Sequence, residues 1–143
     1  MKRIFLAGVS LLVVGCASTP DGPVIAPILK KEPHYTEVSL IRLIASAETY
    51  DGKYVMIEGV AYFDSKHSIN AIYLTREDKR VGNGLNGIFL FFDPALPGVD
   101  HLNDKYVLAR GRFRADIKGH IGAFSSSLAD VTLVRSLKPD LDE

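Results

Sequence analysis

Two segments of nearly identical pattern, each with a glycine inside a run of strand-forming residues, constrain this fold most. Residues 53–59 read KYVMIEG, and residues 105–111 read KYVLARG, fifty-two positions further along the chain. A glycine in a strand interior weakens the strand, so its use there indicates a bulge or a tight bend. Small barrels need such bends to close, and the repeated pattern therefore predicts a strongly curved β-sheet.

Further segments carry the alternation or the short apolar runs typical of strands. The predicted strands are Lys53–Ser65, Ala71–Thr75, Gly87–Phe92, Lys105–Ala115 and Val131–Leu137. Before them, Ser39–Ala47 predicts a short helix that Ser39 caps, with one apolar face of Leu40, Leu43, Ile44 and Ala47. Five short strands at this spacing predict a small barrel or a sandwich.

The paired segments 53–59 and 105–111 resemble strands one and four of the oligonucleotide/oligosaccharide-binding (OB) fold, which curve strongly. The resemblance covers residues 38–137 and implies a mainly β, five-stranded OB-like barrel with one short N-terminal helix. OB folds usually place a helix between strands three and four. Here residues 93–104 contain Pro94, Pro97 and Gly98, which leaves room for one helical turn. We expect the helix before the first strand to close that end of the barrel instead.

The N-terminus has the pattern of a secretory signal peptide. Lys2 and Arg3 precede the apolar run 4–15, which is shorter than the roughly 20 residues of a membrane-spanning helix. Residues 13–16 read VVGC and resemble the lipobox of bacterial lipoproteins. The resemblance implies that the Cys16 thiol receives a diacylglyceryl group, that cleavage follows Gly15, and that the new amino group of Cys16 is acylated by a chain such as palmitate. A buried N-terminal helix and a structural free cysteine are the alternatives.

The layout as a whole resembles small bacterial lipoproteins without a known activity. It predicts a cleaved signal peptide over 1–15, a lipidated N-terminus and flexible tether over 16–36 with prolines at 20, 23, 27 and 33, an OB-like barrel over 37–137, and a C-terminal tail over 138–143. Ala17 and Ser18 follow the cysteine, without the aspartate that favours inner-membrane retention. We therefore expect a lipid anchor in the outer membrane of the cell envelope, facing the periplasm.

Charge argues against nucleic acid as a partner. The chain has 17 Lys and Arg against 17 Asp and Glu, and removal of Lys2 and Arg3 leaves a formal charge of −2. Nucleic-acid-binding domains are normally basic. The expected partners are the membrane, through acyl chains on Cys16, and an envelope protein or glycan.

No pattern in the sequence indicates catalysis, a cofactor or a metal. Residues 82–87 read GNGLNG, which matches GxGxxG, but they lead into a predicted strand and not into the helix that a dinucleotide site requires. The four histidines lack the spacing of metal ligands, and Ser125–Ser127 lacks the GxSxG elbow of a nucleophile. We expect no catalytic, cofactor-binding or metal-ligating residues and hence no enzyme.

Two sets of residues are candidates for partner or polymer contact. Arg110, Arg112 and Arg114 share one face of a predicted strand and could hold phosphates or carboxylates; alternatively they form a solvated face paired with carboxylates such as Glu58. Phe89 and Phe91 lie in the run GIFLFF, which is apolar on both faces. Two explanations are open for these side chains. Either another part of the domain covers them, such as the Ser39–Ala47 helix or the far side of the barrel, or they form an apolar surface that binds a partner.

The expected function is therefore a lipid-anchored, non-enzymatic binding or envelope-assembly module that faces the periplasm. The alternative is an immunity or inhibitor lipoprotein that neutralises a periplasmic toxin or hydrolase. The alternative rests on the small domain, the neutral charge and the lack of a catalytic pattern.

Replacing the proposed acylation site tests the N-terminal prediction. Cys16→Ser should abolish metabolic labelling of the chain by a radioactive or clickable fatty acid, because only the thiol offers the nucleophile that accepts the diacylglyceryl group. Immunoblotting for equal protein amounts is the control. Continued labelling of the serine variant would remove the prediction.

Overall fold

Residues 31–92 and 99–137, the part of the chain that the computed structural model describes, form one sheet with short helices at its edges. The predicted signal peptide, the predicted acylation site Cys16, most of the predicted tether and the predicted tail 138–143 lie outside the described residues. No helix in the described ranges has the length and apolarity to cross a bilayer. The strands are β1 Thr36–Glu37, β2 Tyr54–Asp64, β3 Ile69–Tyr73, β4 Gly87–Leu90, β5 Tyr106–Arg114 and β6 Ser126–Ser136; the helices are α1 Leu40–Ala45, α2 Ala47–Tyr50 and α3 Arg76–Val81.

Five of these strands close into a barrel. The sheet order is β1-β2-β3-β4-β6-β5, and β2 pairs again with β5 at the far edge. The β4–β6 pair is parallel, whereas the β2–β3, β3–β4, β2–β5 and β5–β6 pairs are antiparallel. The prediction of a mainly β, five-stranded OB-like barrel is confirmed.

The bend of β2 lies at Gly59. Residues 54–60 of β2 pair with β5, and residues 60–64 pair with β3, so the strand passes from one neighbour to the other at Val60. A Cβ atom on Gly59 would lie 2.5 Å from Ile72 Cγ2 and 2.6 Å from the Tyr73 carbonyl oxygen. Only glycine allows β3 to approach β2 this closely.

The second glycine of the repeat, Gly111, lies at an irregularity of the β5–β6 pair. Arg110 is opposite Leu133, but Arg112 is opposite Ala129, so the register shifts across Gly111. A Cβ atom there would lie 2.6 Å from the Ala129 carbonyl oxygen. The bend predicted from the repeated glycines is present in both strands.

The N-terminal helix closes one side of the core, as the apolar face predicts. The Ser39 hydroxyl accepts a hydrogen bond from the Arg42 amide at 3.4 Å, which caps α1. Leu40 and Leu43 are buried together with the barrel interior, and Ile44 and Ala47 pack against it partly buried. The helix breaks at Ser46, so that α1 and α2 replace the single predicted helix. In the segment before β5, the described part contains one 3₁₀ turn, Asp100–Leu102.

The structure differs most from the sequence prediction at the start of β6, at β1 and at α3. Strand β6 begins at Ser126 and not at Val131, because two serines that resemble loop residues are fully buried and pair with β4. Thr36, the last residue of the predicted tether, already pairs with Val55 in β1. Helix α3 was not predicted, since the segment REDKRV has no apolar stripe.

The crowding at Gly59 makes a stability prediction. Gly59→Val should lower the free energy of unfolding by about 1–3 kcal/mol or more, because the new side chain must displace β3. Thermal and urea unfolding of the full chain measure the loss. Glu58→Val introduces the same side chain at the exposed neighbouring position and should change stability by no more than about 0.5 kcal/mol. Equal unfolding of the two variants would contradict the close approach of β3.

Candidate functional site

The three arginines of β5 share one outer face, as predicted, but each already has a carboxylate neighbour. The predicted neighbour Glu58 is not among them, because it lies opposite Leu108 in the β2–β5 pair. Arg112 Nε lies 3.0 Å from Asp130 as a charge contact without the alignment of a hydrogen bond. The pairs are Arg110 with Glu32 at 3.3 Å, Arg112 with Asp130 at 3.0 Å, and Arg114 with Asp116 at 3.4 Å.

Arg110 has further partners on this face. Its guanidinium carbon lies 5.0 Å from the centre of the Tyr35 ring, and its Nε donates to Thr132 Oγ1 at 3.2 Å. Tyr35 in turn packs edge-to-face against Tyr54 at 5.7 Å. The interactions of these arginines are therefore internal to the domain, which favours the interpretation as a solvated, paired face.

Phe89 and Phe91 point outward from the barrel on another face. Ile88 and Leu90 of the same segment are buried in the barrel core. Phe89 belongs to a separate apolar cluster and is 6% exposed, whereas Phe91 is 40% exposed. The two rings lie 4.9 Å apart in an edge-to-face arrangement. Of the predicted contact residues, these two remain as a candidate surface.

The two phenylalanines end a line of five rings, which we call the aromatic row. Its members are Tyr62 of β2, Tyr73 of β3, Phe124 of the loop before β6, Phe89 of β4 and Phe91. Successive ring centres lie 6.4, 5.9, 5.4 and 4.9 Å apart. These are ordinary distances for aromatic pairs, so the row is a packed structure that crosses the outer face of three strands.

The cover over the aromatic row is the β5–β6 loop, residues 115–125, and not α1 or the far side of the barrel as expected. Gly119 packs against Phe89 so closely that a Cβ atom would lie 2.5 Å from Phe89 Cγ. Phe124 is 3% exposed and contacts both Phe89 and Tyr73. The row is thus covered in its middle and exposed at Phe91.

Two lysines lie in the loops that adjoin the strands and the cover of the aromatic row. Phe89 pairs with Ala71 in the antiparallel β3–β4 ladder, and Ile69 at the start of β3 packs against the apolar cluster that contains Phe89. Lys66 lies in the β2–β3 loop that precedes Ile69, and Lys118 lies in the β5–β6 loop. Lys118 Nζ donates to the Ser125 carbonyl at 3.3 Å. Within the described ranges, neither lysine has a carboxylate partner, in contrast to the arginines of β5.

At the Tyr62 end of the row, the side chains of Tyr62, Asp64 and His67 form a hydrogen-bonded group. The Tyr62 hydroxyl donates to Asp64 at 3.2 Å, and His67 Nδ1 lies 2.7 Å from the same carboxylate oxygen. The bond with the His67 ring, above all, lowers the pKa of Asp64. Burial is the main cause that raises the pKa of Tyr62, and Asp64 adds to it. The Lys79 ammonium lies 5.4 Å from the Tyr62 ring centre and pairs with Asp104.

The unpredicted helix α3 supports the loop that covers the row. The Thr75 hydroxyl accepts the Asp78 amide at 3.0 Å, and Gly82 ends the helix in a left-handed conformation. The spacing of Thr75 and Asp78 is a helix-capping signal that could have predicted α3. The following turn lies against the β5–β6 loop, because the Ser125 amide donates to the Gly84 carbonyl at 3.2 Å.

The Asp78 side chain links α3 to the turn that follows it through hydrogen bonds. Its carboxylate accepts the side-chain amides of Asn83 at 3.0 Å and Asn86 at 2.9 Å, and it pairs with the Thr75 hydroxyl at 2.5 Å. These hydrogen bonds, the one with Thr75 first, lower the pKa of Asp78 below its usual value. The glycines and asparagines of the GNGLNG segment therefore have structural roles between α3 and β4.

The sequence predicts no catalytic or metal-ligating residues, and the groups to inspect in the structure are the candidate metal ligands and the serines of β6. Across residues 31–92 and 99–137, no three His, Cys, Asp or Glu side chains form a group that could hold a metal ion. Ser126 and Ser127 are buried in β6, and the Ser127 hydroxyl has no hydrogen-bond partner there.

Comparison with known proteins finds several similar solved structures. No protein-family model matches this sequence, and no curated protein matches it. The Stn1–Ten1 complex of Schizosaccharomyces pombe is similar with a TM-score of 0.47 and 14% identity, covering 73% of this chain and 77% of that chain. The telomere capping protein Ten1 of the same organism has a TM-score of 0.46 and 14% identity, covering 72% and 81%. Similarity of this strength transfers no activity or ligand to the chain.

The function expected from the sequence does not agree with this finding and is withdrawn. A lipid-anchored, periplasm-facing binding or envelope-assembly module, with an immunity or inhibitor lipoprotein as alternative, conflicts with neighbours that include a telomere capping protein. The expected description as a periplasmic lipoprotein module and the expected partners, with nucleic acid excluded, are corrected in the same way, whereas this similarity does not test the location of the chain. The exclusion used the net charge of the whole chain, which does not report where the unpaired charges lie.

The lowered pKa of Asp78 predicts a pH-dependent role in stability. Because the folded state holds the ionised carboxylate, the contribution is present above the unfolded pKa and is lost as pH falls through the folded value. Asp78→Ala should therefore lower the melting temperature at pH 7, and the difference from the wild type should shrink below about pH 4. Glu77→Ala, which removes a neighbouring exposed ion pair with Arg80, is the control and should have little effect. A pH-independent deficit in the Asp78 variant would contradict the role of the charge.

Proposed function

We propose that this domain binds a single-stranded nucleic acid along the aromatic row, between the β2–β3 and β5–β6 loops, without catalysing a reaction. In the OB class the ligand surface lies on the second and third barrel strands and on the loops that join strands one to two and four to five. Those elements are here β3, β4, the β2–β3 loop and the β5–β6 loop. The aromatic row crosses this surface.

The proposal rests above all on the Phe91 ring, which is exposed at the end of the aromatic row. Bases stack on aromatic side chains whatever their identity, at about 1–3 kcal/mol per base. Phe91 is 40% exposed on the outer face of the sheet, next to Phe89. A large apolar ring in this position gains more from a flat partner than from water.

The charges around the row support an anionic ligand. Lys66 and Lys118 lie in the two loops that border the row, and in the described part of the chain no carboxylate neutralises them. The arginines of β5 are in the opposite situation, since each has a carboxylate neighbour. Phosphates of a bound strand would supply the missing counter-charges at the lysines.

The cellular location is a separate proposal that depends on residues 1–16 alone. The resemblance of VVGC to a lipobox supports acylation of Cys16 and a bacterial envelope location, and the fatty-acid labelling experiment described above tests it. The nucleic-acid proposal does not depend on its outcome.

Fluorescence anisotropy of a labelled 15-nucleotide oligo(dT) tests the proposed function, with the full chain titrated at 50 mM salt. We expect saturable binding by the wild type. Phe91→Ala should weaken it by about 5- to 150-fold, the factor that corresponds to one stacked base. Lys118→Gln should reduce the salt dependence of log K by about 0.7, the value for one phosphate contact with a single strand.

Arg112→Gln is the matched control, because it removes a cation that already pairs with Asp130 on the other face. It should bind the oligonucleotide as the wild type does. Absence of saturable binding at low salt, or equal losses in Phe91→Ala and Arg112→Gln, would reject the aromatic row as a nucleic-acid site.

A further inference from the structure

The β5–β6 loop consists of a tied stem and a loosely held tip. At the stem, the Ser125 hydroxyl donates to the Gly87 carbonyl at 2.8 Å and the Ser125 amide donates to the Gly84 carbonyl at 3.2 Å. The tip comprises residues 119–122. The backbone hydrogen bonds of the tip are local, from the Gly122 amide to Gly119 at 3.4 Å and from the Ala123 amide to His120 at 3.0 Å.

The backbone of the tip is unfavourable for its sequence. Gly119 and Gly122 have positive φ angles of 64° and 74°, which glycine adopts at no cost. Ile121 between them has φ 49° and ψ 22°, the left-handed region that a β-branched residue rarely occupies. Its side chain is 89% exposed, so burial within the domain does not compensate for this conformation.

The contact of the tip with the aromatic row is made by Gly119. Its backbone packs directly on Phe89, with no side chain between them. This glycine therefore occupies the place beside the Phe89 ring that a flat ligand would need. Because Phe89 is 6% exposed in this arrangement, stacking on it requires the tip to move.

We propose that residues 119–122 form a lid that opens to give the ligand access to Phe89, while Phe124 and Ser125 stay in place as its fixed stem. The proposal rests on the proposed function for the identity of the ligand. The strain at Ile121 raises the free energy of the closed lid and so sets the fraction of open molecules. A ligand that binds only the open form has its apparent affinity lowered by that fraction.

Gly119→Ala shifts this equilibrium towards the open lid. The new Cβ atom would press on Phe89, and the positive φ angle is strained for alanine. Gly122→Ala is the matched control, because it has the same kind of φ angle but no atom within 4 Å of its Cβ position. Ile121→Asn shifts the equilibrium the other way, since asparagine tolerates the left-handed conformation.

The first readouts need no nucleic acid. Fluorescence of 8-anilinonaphthalene-1-sulfonate with the full chain should rise in Gly119→Ala over Gly122→Ala by about twofold or more, because opening exposes the Phe89 ring. Amide hydrogen exchange at Gly122 and Ala123 should slow by about five- to thirtyfold in Ile121→Asn, which relieves the strain of the closed tip. Equal dye fluorescence in the two alanine variants, or unchanged exchange in the asparagine variant, would overturn the lid.

Oligo(dT) binding separates the lid from its ligand. Gly119→Ala should bind more tightly than Gly122→Ala by about threefold or more, as the open fraction rises. If the wild type binds and both alanine variants bind equally well, the lid is rejected and the binding site stands. If no form binds but the dye and exchange results are as expected, the lid stands and nucleic acid is rejected as its ligand.

Discussion

The pairing of β2 with β5 is the interaction on which the rest of the molecule depends, because it turns an open sheet into a barrel. Strand β2 can reach both β5 and β3 only by bending at Gly59, where a side chain would collide with Ile72 and the backbone of Tyr73. Gly111 allows the matching irregularity between β5 and β6. Two positions without a Cβ atom thus determine the closure of the core.

Closure gives the outer surface two faces with different electrostatics. On β5 the arginines pair with carboxylates and with Tyr35, so their charges are compensated within the domain. Across β2, β3 and β4 the surface is aromatic, and the lysines of the adjoining loops have no carboxylate partner in the described part of the chain. A zero net charge is compatible with both faces, which explains why it is a poor guide to the binding partner.

The aromatic row is a second apolar cluster outside the barrel, and a loop covers most of it. Such a cover buries the rings of Tyr73, Phe89 and Phe124 without adding a further layer of secondary structure. It also leaves Phe91, the most exposed ring of the row, next to the Phe89 ring that the loop covers. Burial and access to the same surface therefore depend on one short segment, whose tip contains Ile121 in an unfavourable conformation.

The sequence by itself determined the barrel, because alternation, the repeated glycines and the apolar face of Leu40 and Leu43 are local patterns with a direct structural cause. It also marked Phe89 and Phe91, since a strand that is apolar on both faces must be covered. Only the tertiary structure decided what covers them and which arginines are paired: Gly119, Glu32 and Asp130 are distant in sequence from the residues they contact. The buried serines of β6 escaped prediction for the same reason, because burial depends on neighbours that no local pattern specifies.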